Sequence, residues 1–188
     1  MPGTVMGQAK ISKATRSDGS ERRVYIAQGE HAVLQGADAV ISTLLGSCVA
    51  VCLWDPVIGV GGMNHFLLPD EGGFPSGMSG YGANAMELVV NGLIQHGAIR
   101  SRFRAKIFGG AEMVAGLSGI GKMNGAFATR YLERERIPCT SLSLGGTRAR
   151  RVEFWPADGR ARMKFLADTV PNTVTLPRFD DQSSIEMF

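Results

Sequence analysis

Residues 40–69 read VISTLLGSCVAVCLWDPVIGVGGMNHFLLP, and this stretch decides the fold. Its apolar runs are interrupted by a Gly-Ser pair and by an Asp-Pro pair, both typical of turns. The pattern predicts three strands joined by two short turns. Because adjacent antiparallel strands bring residues distant in sequence face to face, we expect Cys48 and His65 to meet across the sheet. A thiol beside an imidazole is the smallest unit of thiolate chemistry.

The composition is that of an ordinary globular protein. Of the 188 residues, 44% are hydrophobic and 20% are charged, which suits one domain of about 150 residues with tails. The formal net charge of +3 is too small to indicate binding of nucleic acid, because such binding usually needs a concentrated basic stripe. No apolar run reaches the ~18 residues of a membrane span, so we expect no membrane insertion.

The cysteine content indicates a reducing compartment. Cys48, Cys52 and Cys139 form an odd set, and the N-terminus carries no apolar leader, a combination that favours the cytoplasm. Cys48 and Cys52 are spaced as CxxxC, and no second Cys or His pair completes a zinc site. We therefore expect neither a metal nor a cofactor.

The chain is predicted to form one ordered domain between two tails. Residues 1–22 and 168–188 are polar and lack periodicity, so we expect a flexible N-terminal tail and a polar C-terminal tail around a domain at residues 23–167. Amphipathic patterns predict helices over residues 81–97 and 121–136. Strand patterns occur in runs around these two helices, which favours an α+β fold, a single-domain sandwich of mostly antiparallel strands.

Two further expectations concern the surroundings of the central stretch. Residues 70–80, DEGGFPSGMSG, are dense in Gly, Ser and Pro, which predicts a loop. This loop directly follows the strand that carries His65, so it is placed to act as a lid over the site. On the second helix, the residues predicted to face the core are Met123, Phe127, Tyr131 and Leu132.

Cys48 differs from the other cysteines in its setting. A buried cysteine is most often a small apolar residue, which suits Cys52 and Cys139. Cys48 instead follows Gly46 and Ser47, where glycine permits a sharp turn and backbone N–H groups can point at a developing oxyanion. This setting makes Cys48 the candidate nucleophile.

His65 is the candidate base, with a satisfied core histidine as the plainer alternative. The second ring nitrogen of a catalytic histidine needs an orienting partner. Asn64 is expected to point to the opposite face, because side chains alternate along a strand. Ser42 and Thr43, on a neighbouring strand, offer hydroxyl groups, and the residues alone leave both open.

Five segments resemble the CheD family of chemoreceptor glutamine deamidases. They read LLGSCVAVCLWDP, GVGGMNHFLLP, KIFGGAEM, IGKMNGAFATRYLERERIP and LGGTRARRVEF. The likeness spans roughly residues 24–165. The LGSC and GGMxH elements at this separation are its specific part, whereas the Gly-Gly pairs alone are not.

The resemblance implies a cysteine-dependent enzyme with a Cys-His-Thr triad. Cys48 and His65 match the nucleophile and the base, while the third position falls on Ser42 by ungapped counting and on Thr43 by residue type. The implied substrates are methyl-accepting chemotaxis receptors, whose glutamines become glutamates through a thioester, with release of ammonia and without a cofactor. The resemblance also implies the CheY-phosphate phosphatase CheC as a partner, and a fold similar to the catalytic domain of the cytotoxic necrotising factor toxins.

Two other functions stay open at this point. A different thiol enzyme, such as a receptor methylesterase or a small-molecule amidase, would share the nucleophile but prefer another acyl group. A non-catalytic chemotaxis binding module would keep the fold without needing the thiol. The products released, and the effect of Cys48→Ala, distinguish these functions from a deamidase.

Overall fold

The structure, a computed structural model, describes residues 15–17, 21–68, 78–113 and 119–166. The strands in these ranges are β1 Thr15–Ser17, β2 Glu21–Tyr25, β3 His31–Gln35, β4 Ala39–Leu45, β5 Val49–Asp55, β6 Val60–Asn64, β7 Arg104–Gly109, β8 Cys139–Leu144, β9 Arg150–Trp155 and β10 Arg160–Phe165. The α-helices are α1 Met78–Gln95 and α2 Ile120–Arg134. Neither of these two helices is long and apolar enough to cross a membrane.

The described strands form two sheets of five strands each. The first sheet has the order β1-β2-β4-β9-β10, and the second has the order β3-β6-β5-β7-β8. Within these sheets, β2 pairs with β4 and β7 pairs with β8 in parallel, whereas the other pairs are antiparallel. The predicted α+β sandwich of mostly antiparallel strands with two helices is therefore confirmed. The expected similarity to the cytotoxic necrotising factor domain stays a prediction.

The second sheet is the middle of three layers. Its central strand β5, VAVCLWD, is buried at all seven positions. Val49 and Val51 pack against the helices, whereas Ala50 and Cys52 pack against the first sheet. A strand that is covered on both faces reads as a continuous apolar run, which explains why this part of the sequence shows no alternation.

The central stretch of the sequence connects the two sheets. β4 lies in the first sheet and β5 in the second, so residues 46–48 carry the chain from one sheet to the other. β5 and β6 then pair as an antiparallel hairpin, with Cys52 opposite Met63. The end of β4, the start of β5 and the end of β6 consequently lie at the same end of the sandwich.

Two predictions about the helices were partly wrong. Helix α1 begins at Met78, so the predicted loop ends earlier than expected; residues 70–77, with the predicted lid, lie outside the described residues. On α2, Tyr131 and Leu132 are buried as predicted, whereas Met123 and Phe127 are half-buried. Asn124 and Ala128 are buried as well, because small residues allow the helix to pack closely on the sheet.

The division into tails and a domain stays a prediction. Residues 168–188 and most of residues 1–22 lie outside the described residues. Strand β1 falls within the segment predicted as the N-terminal tail and pairs with β2. Strand β2 begins at Glu21, which is before the predicted start of the domain at Arg23.

Gly109, at the end of β7, allows the connection between the sheets to pass close by. Its φ of 118° lies in the region that favours glycine. A Cβ atom built on Gly109 would lie 2.1 Å from the carbonyl oxygen of Cys48, far inside contact distance. The N–H of Gly110 donates to the same carbonyl at 2.8 Å. The backbone at Cys48 therefore needs a residue without a side chain at position 109.

Replacing Gly109 by Ala is expected to destabilise the protein more than replacing Gly97 by Ala. Gly97 also has a positive φ, but a Cβ there meets no atom of the described residues within 4 Å. The Gly97→Ala variant should therefore lower the free energy of unfolding by only about 1 kcal/mol, the cost of a positive φ for alanine. Gly109→Ala adds the clash with Cys48, and we expect a loss of about 3 kcal/mol in the free energy of unfolding, measured in urea. Equal losses in the two variants would contradict the close approach.

Candidate functional site

Cys48 lies where the chain crosses between the two sheets. The backbone of this connection is held by the segment that follows β7, since the N–H of Ala111 donates to the carbonyl of Gly46 at 2.9 Å and the N–H of Gly110 donates to that of Cys48. The residue Cys48 is 9% exposed. The backbone that carries the sulfur is therefore fixed, and the residue is largely shielded from solvent.

The pairing of β5 with β6 puts Cys48 and His65 on the same face of the second sheet. Beyond β6, an antiparallel bridge joins Val49 to Phe66, with N–H to carbonyl distances of 3.0 and 2.9 Å. Continuing this register sets Ala50 opposite His65, and Cys48 stands two positions before Ala50. Side chains two positions apart share a face of a strand. The register thus places Cys48 and His65 as diagonal neighbours on the face that packs toward the first sheet, and no hydrogen bond joins their side chains among the described residues.

Thr43 links His65 to the first sheet. Its hydroxyl oxygen is 2.8 Å from Nδ1 of His65, and the hydroxyl donates to the carbonyl of Ile26 at 2.7 Å. A hydroxyl group has a single proton to donate. The contact with His65 must therefore be a hydrogen bond from Nδ1–H to Thr43. This arrangement fixes the neutral imidazole in the tautomer whose lone pair is on Nε2.

The Nε2 atom of His65 is consequently an unprotonated base. It is buried and has no hydrogen-bond partner among the described residues. A buried polar atom without a partner is uncommon in folded proteins and costs free energy. Because the imidazole lies on the same face as Cys48, Nε2 is the atom suited to take the proton of the thiol.

Ser42 does not share this arrangement. Successive side chains on a strand alternate, so Ser42 and Thr43 point to opposite faces of β4. Ser42 stands opposite Glu153 in the pairing of β4 with β9, and Thr43 is the residue whose hydroxyl contacts the imidazole. Of the two hydroxyl groups considered from the sequence, the structure brings that of Thr43 to His65.

Burial sets the resting protonation states of the site. Desolvation lowers the pKa of His65, although the Ile26 carbonyl and the Glu30 carboxylate oppose this effect. Desolvation raises the pKa of the Cys48 thiol, and the backbone N–H of the same residue opposes this effect. Both groups are therefore neutral near pH 7. The thiolate must arise by proton transfer during a reaction, because it is not held as a resting ion pair.

Asn124, on α2, holds both sides of the site and was not identified from the sequence. Its side-chain Nδ2 donates to the carbonyl of Ser47 at 3.0 Å, and its Oδ1 accepts from the N–H of Leu68 at 2.8 Å. One buried carboxamide thus fixes the connection that carries Cys48 and the segment that follows His65. The sequence did carry one signal, a polar residue on the core face of a helix. Such a residue is rarely buried without a hydrogen-bond partner.

Gln28 is a second residue that sequence reasoning missed. It lies in the turn between β2 and β3, where the Cys48 thiol donates to its Oε1 at 3.3 Å. The Gln28 side chain is otherwise exposed. A polar residue in a turn is common, so the sequence carried no signal that distinguished Gln28 from other turn residues.

A cavity of about 680 Å³ lies beside the candidate site. It runs along α2 at Gly125 and Thr129 and is also lined by Gly145 and Gly146. Gly110, which binds the Cys48 carbonyl, joins this cavity to the connection between the sheets. The described ranges contain no cluster of three or more His, Cys, Asp or Glu side chains suited to a metal ion.

Comparison with known proteins yields a family and close relatives. The family described as CheD chemotactic sensory transduction matches residues 67–165. A protein of Caulobacter sp. (strain K31) named probable chemoreceptor glutamine deamidase CheD is 50% identical over 176 residues, with 92% of each chain covered. A protein of the same name from Rhizobium leguminosarum bv. trifolii (strain WSM2304) is 52% identical over 182 residues, with 92% of this chain and 99% of the relative covered.

One solved structure gives a much weaker match. The crystal structure of the Bacillus licheniformis hypothetical protein YfiH aligns with a TM-score of 0.42 and 13% identity. The alignment covers 73% of this chain and 63% of that protein, so the chain spans less than two thirds of its length. This likeness is too distant to bear on the site.

Replacing Thr43 by Val keeps the shape of the side chain but removes the hydroxyl. The Ile26 carbonyl and the Nδ1–H of His65 would then lose the hydroxyl group that both of them bind, so we expect the free energy of unfolding to fall by about 1–3 kcal/mol. Ser42→Ala is the matched control and should cost less than about 1 kcal/mol. Nitrogen chemical shifts of His65 should show mixed tautomers in Thr43→Val only. A single Nδ1–H tautomer in that variant would refute the orienting role.

Stability should fall as the pH drops below ~6.5, the ordinary pKa of histidine. The pKa of His65 is lower in the folded state than in the unfolded chain. Between these two pKa values the unfolded chain therefore binds more protons than the folded protein, so the free energy of unfolding rises with pH in that range. His31 contributes with the same sign, since burial also lowers its pKa. Urea unfolding of wild type and His65→Gln across this pH range isolates His65. Identical slopes for the two proteins would mean that His65 titrates normally.

Proposed function

Because the chain belongs to the CheD family, we propose that it deamidates glutamine side chains of chemoreceptors to glutamate and releases ammonia. The shared name of the relatives supports this reaction class. The observation that carries the proposal is the hydrogen bond from Nδ1 of His65 to Thr43. This bond leaves Nε2 as a base on the face that holds the thiol. In this proposal Cys48 is the nucleophile, His65 the general base and Thr43 the residue that orients the imidazole.

The reaction begins with proton transfer from a neutral thiol. Nε2 of His65 takes the proton of Cys48, and the resulting thiolate attacks the carboxamide carbon of a receptor glutamine. A carbon–sulfur bond forms, and the electron pair of the carbonyl moves onto oxygen. Hydrogen-bond donors beside the sulfur stabilise that oxyanion, and removal of one such donor typically costs ~10²–10³ in rate. The backbone N–H of Cys48, which already interacts with its own sulfur, is one such donor.

Collapse of the intermediate needs the proton that His65 has taken. The oxyanion re-forms the carbonyl, the carbon–nitrogen bond breaks, and the imidazolium protonates the leaving nitrogen, so that ammonia departs. The product is a thioester with Cys48. Water, deprotonated by His65, then attacks the thioester and releases glutamate and the thiol. Because both resting groups are neutral, each cycle returns the site to the state in which it began.

The proposed substrate is a glutamine on the helical cytoplasmic region of a receptor, which places the reaction in the cytoplasm. A helical rod is convex, so it requires a shallow surface beside the nucleophile. The slight exposure of Cys48 and its position outside the cavity along α2 suit such a substrate. Each turnover replaces a neutral side chain by a carboxylate, which changes the electrostatics of the receptor. The phosphatase CheC stays a predicted partner.

Mass spectrometry of receptor fragments tests the proposal. Wild type should give the mass gain expected when an amide nitrogen is replaced by oxygen, and Cys48→Ala should lower the rate by ~10⁴-fold or more. Cys139→Ala is the matched control, because Cys139 is an exposed free cysteine outside the site. Release of methanol from methylated receptor without release of ammonia would favour a methylesterase. Full activity of Cys48→Ala in chemotaxis would favour a binding module.

A further inference from the structure

Gln28 places a carboxamide against the candidate nucleophile. The Cys48 thiol donates to Oε1 of Gln28 at 3.3 Å. The rest of the Gln28 side chain is exposed at the rim of the site. Any carbonyl group that the sulfur attacks must come to a similar distance from it. Gln28 therefore lies within reach of the atoms that change during the reaction.

The turn that carries Gln28 is fixed to His65 itself. The N–H of Gly29 donates to the carbonyl of His65 at 2.7 Å, and the N–H of His65 donates to the carbonyl of Glu30 at 3.0 Å. Within the turn, the N–H of Ala27 donates to the Glu30 carboxylate at 2.8 Å. Gly29 adopts a φ of 84°, which a residue with a side chain rarely does. The backbone on which Gln28 sits is therefore held by the same residue that supplies the base.

A carboxamide can serve two opposite needs of a thiol site. Its oxygen accepts a hydrogen bond, and its NH₂ group donates two. Rotation about the last side-chain bond, which is broad and roughly two-fold for Gln, exchanges the two groups. The resting thiol needs an acceptor, and Oε1 of Gln28 is that acceptor. The oxyanion that forms when the sulfur attacks a carbonyl group needs a donor, which the NH₂ group supplies after half a turn.

We propose that Gln28 is a catalytic residue that donates an N–H to the oxyanion formed on the substrate glutamine. This inference rests on the proposed function. When the carbon–sulfur bond forms, the carbonyl electron pair moves onto an oxygen two bonds from the sulfur, beside the Gln28 carboxamide. Gln28 and the backbone N–H of Cys48 then form the two donors of an oxyanion hole. When the carbon–nitrogen bond breaks, the carbonyl re-forms and Gln28 returns to accept from the thiol.

The kinetics of two reactions separate this role from a structural one. Deamidation of a receptor fragment passes through an oxyanion, whereas alkylation of Cys48 by iodoacetamide displaces iodide at a methylene carbon and forms none. We expect Gln28→Ala to lower kcat for ammonia release by ~10²–10³ with little change in KM. Its rate of alkylation should stay close to that of wild type. Gln95→Ala, at the exposed end of α1, is the matched control and should behave as wild type in both reactions.

Gln28→Glu provides a second, isosteric variant. A carboxylate only accepts hydrogen bonds, so kcat should fall at least as far as in Gln28→Ala. Its negative charge also opposes the thiolate, which should move alkylation to higher pH. Thermal unfolding of each variant shows whether the fold is kept.

Four outcomes would overturn the inference. A kcat for Gln28→Ala equal to that of wild type would remove the donor role. A higher kcat would make Gln28 a side chain that blocks the substrate. Equal losses in deamidation and alkylation would make its role structural. If wild type releases no ammonia although Cys48 is alkylated, the proposed function fails, and the role of Gln28 fails with it. If wild type releases ammonia, any of the first three outcomes rejects the role of Gln28 alone and leaves the proposed function in place.

Discussion

The hydrogen bond between Thr43 and His65 joins the two sheets at the point where the site is built. Thr43 belongs to a strand of the first sheet, and His65 follows a strand of the second. Because the threonine proton is committed to Ile26, the bond has one polarity and the imidazole has one tautomer. The reactivity of the site therefore depends on the spacing between the two sheets, which apolar contacts and the hydrogen bonds of Arg150 to Ser143 also hold together.

Much of the fold could be predicted because its signals are local. The apolar run of β5, the turn after it and the glycines of β6 define a hairpin without reference to the rest of the chain. The partner of β4 carries no such signal, since β9 lies about a hundred residues away in the sequence. The choice between Ser42 and Thr43 depends on the same unknown. Both are flanked by apolar residues, so the sequence does not reveal which face of β4 points inward.

The polar residues around the site were harder to predict than the nucleophile and the base. Cys48 and His65 lie within a distinctive local pattern, whereas Gln28 and Asn124 contact that pattern from other parts of the chain. The buried face of α2 was only partly predicted, for a related reason. Large apolar side chains correctly indicated Tyr131 and Leu132. A helix that packs closely on a sheet also turns small residues inward, and one buried amide can then reach the backbone beneath it.

The amide of Asn124 also exposes the site to chemical ageing. Asn124 is followed by Gly125, and in a flexible chain the backbone nitrogen of such a glycine readily attacks the asparagine carboxamide. In α2 that nitrogen is engaged in the helical hydrogen-bond pattern and Gly125 is buried, so the folded helix prevents this attack. An aspartate formed there would set a carboxylate against the Ser47 carbonyl, which now accepts a hydrogen bond from Asn124. The rate at which Asn124 is lost thus depends on how often α2 unfolds locally.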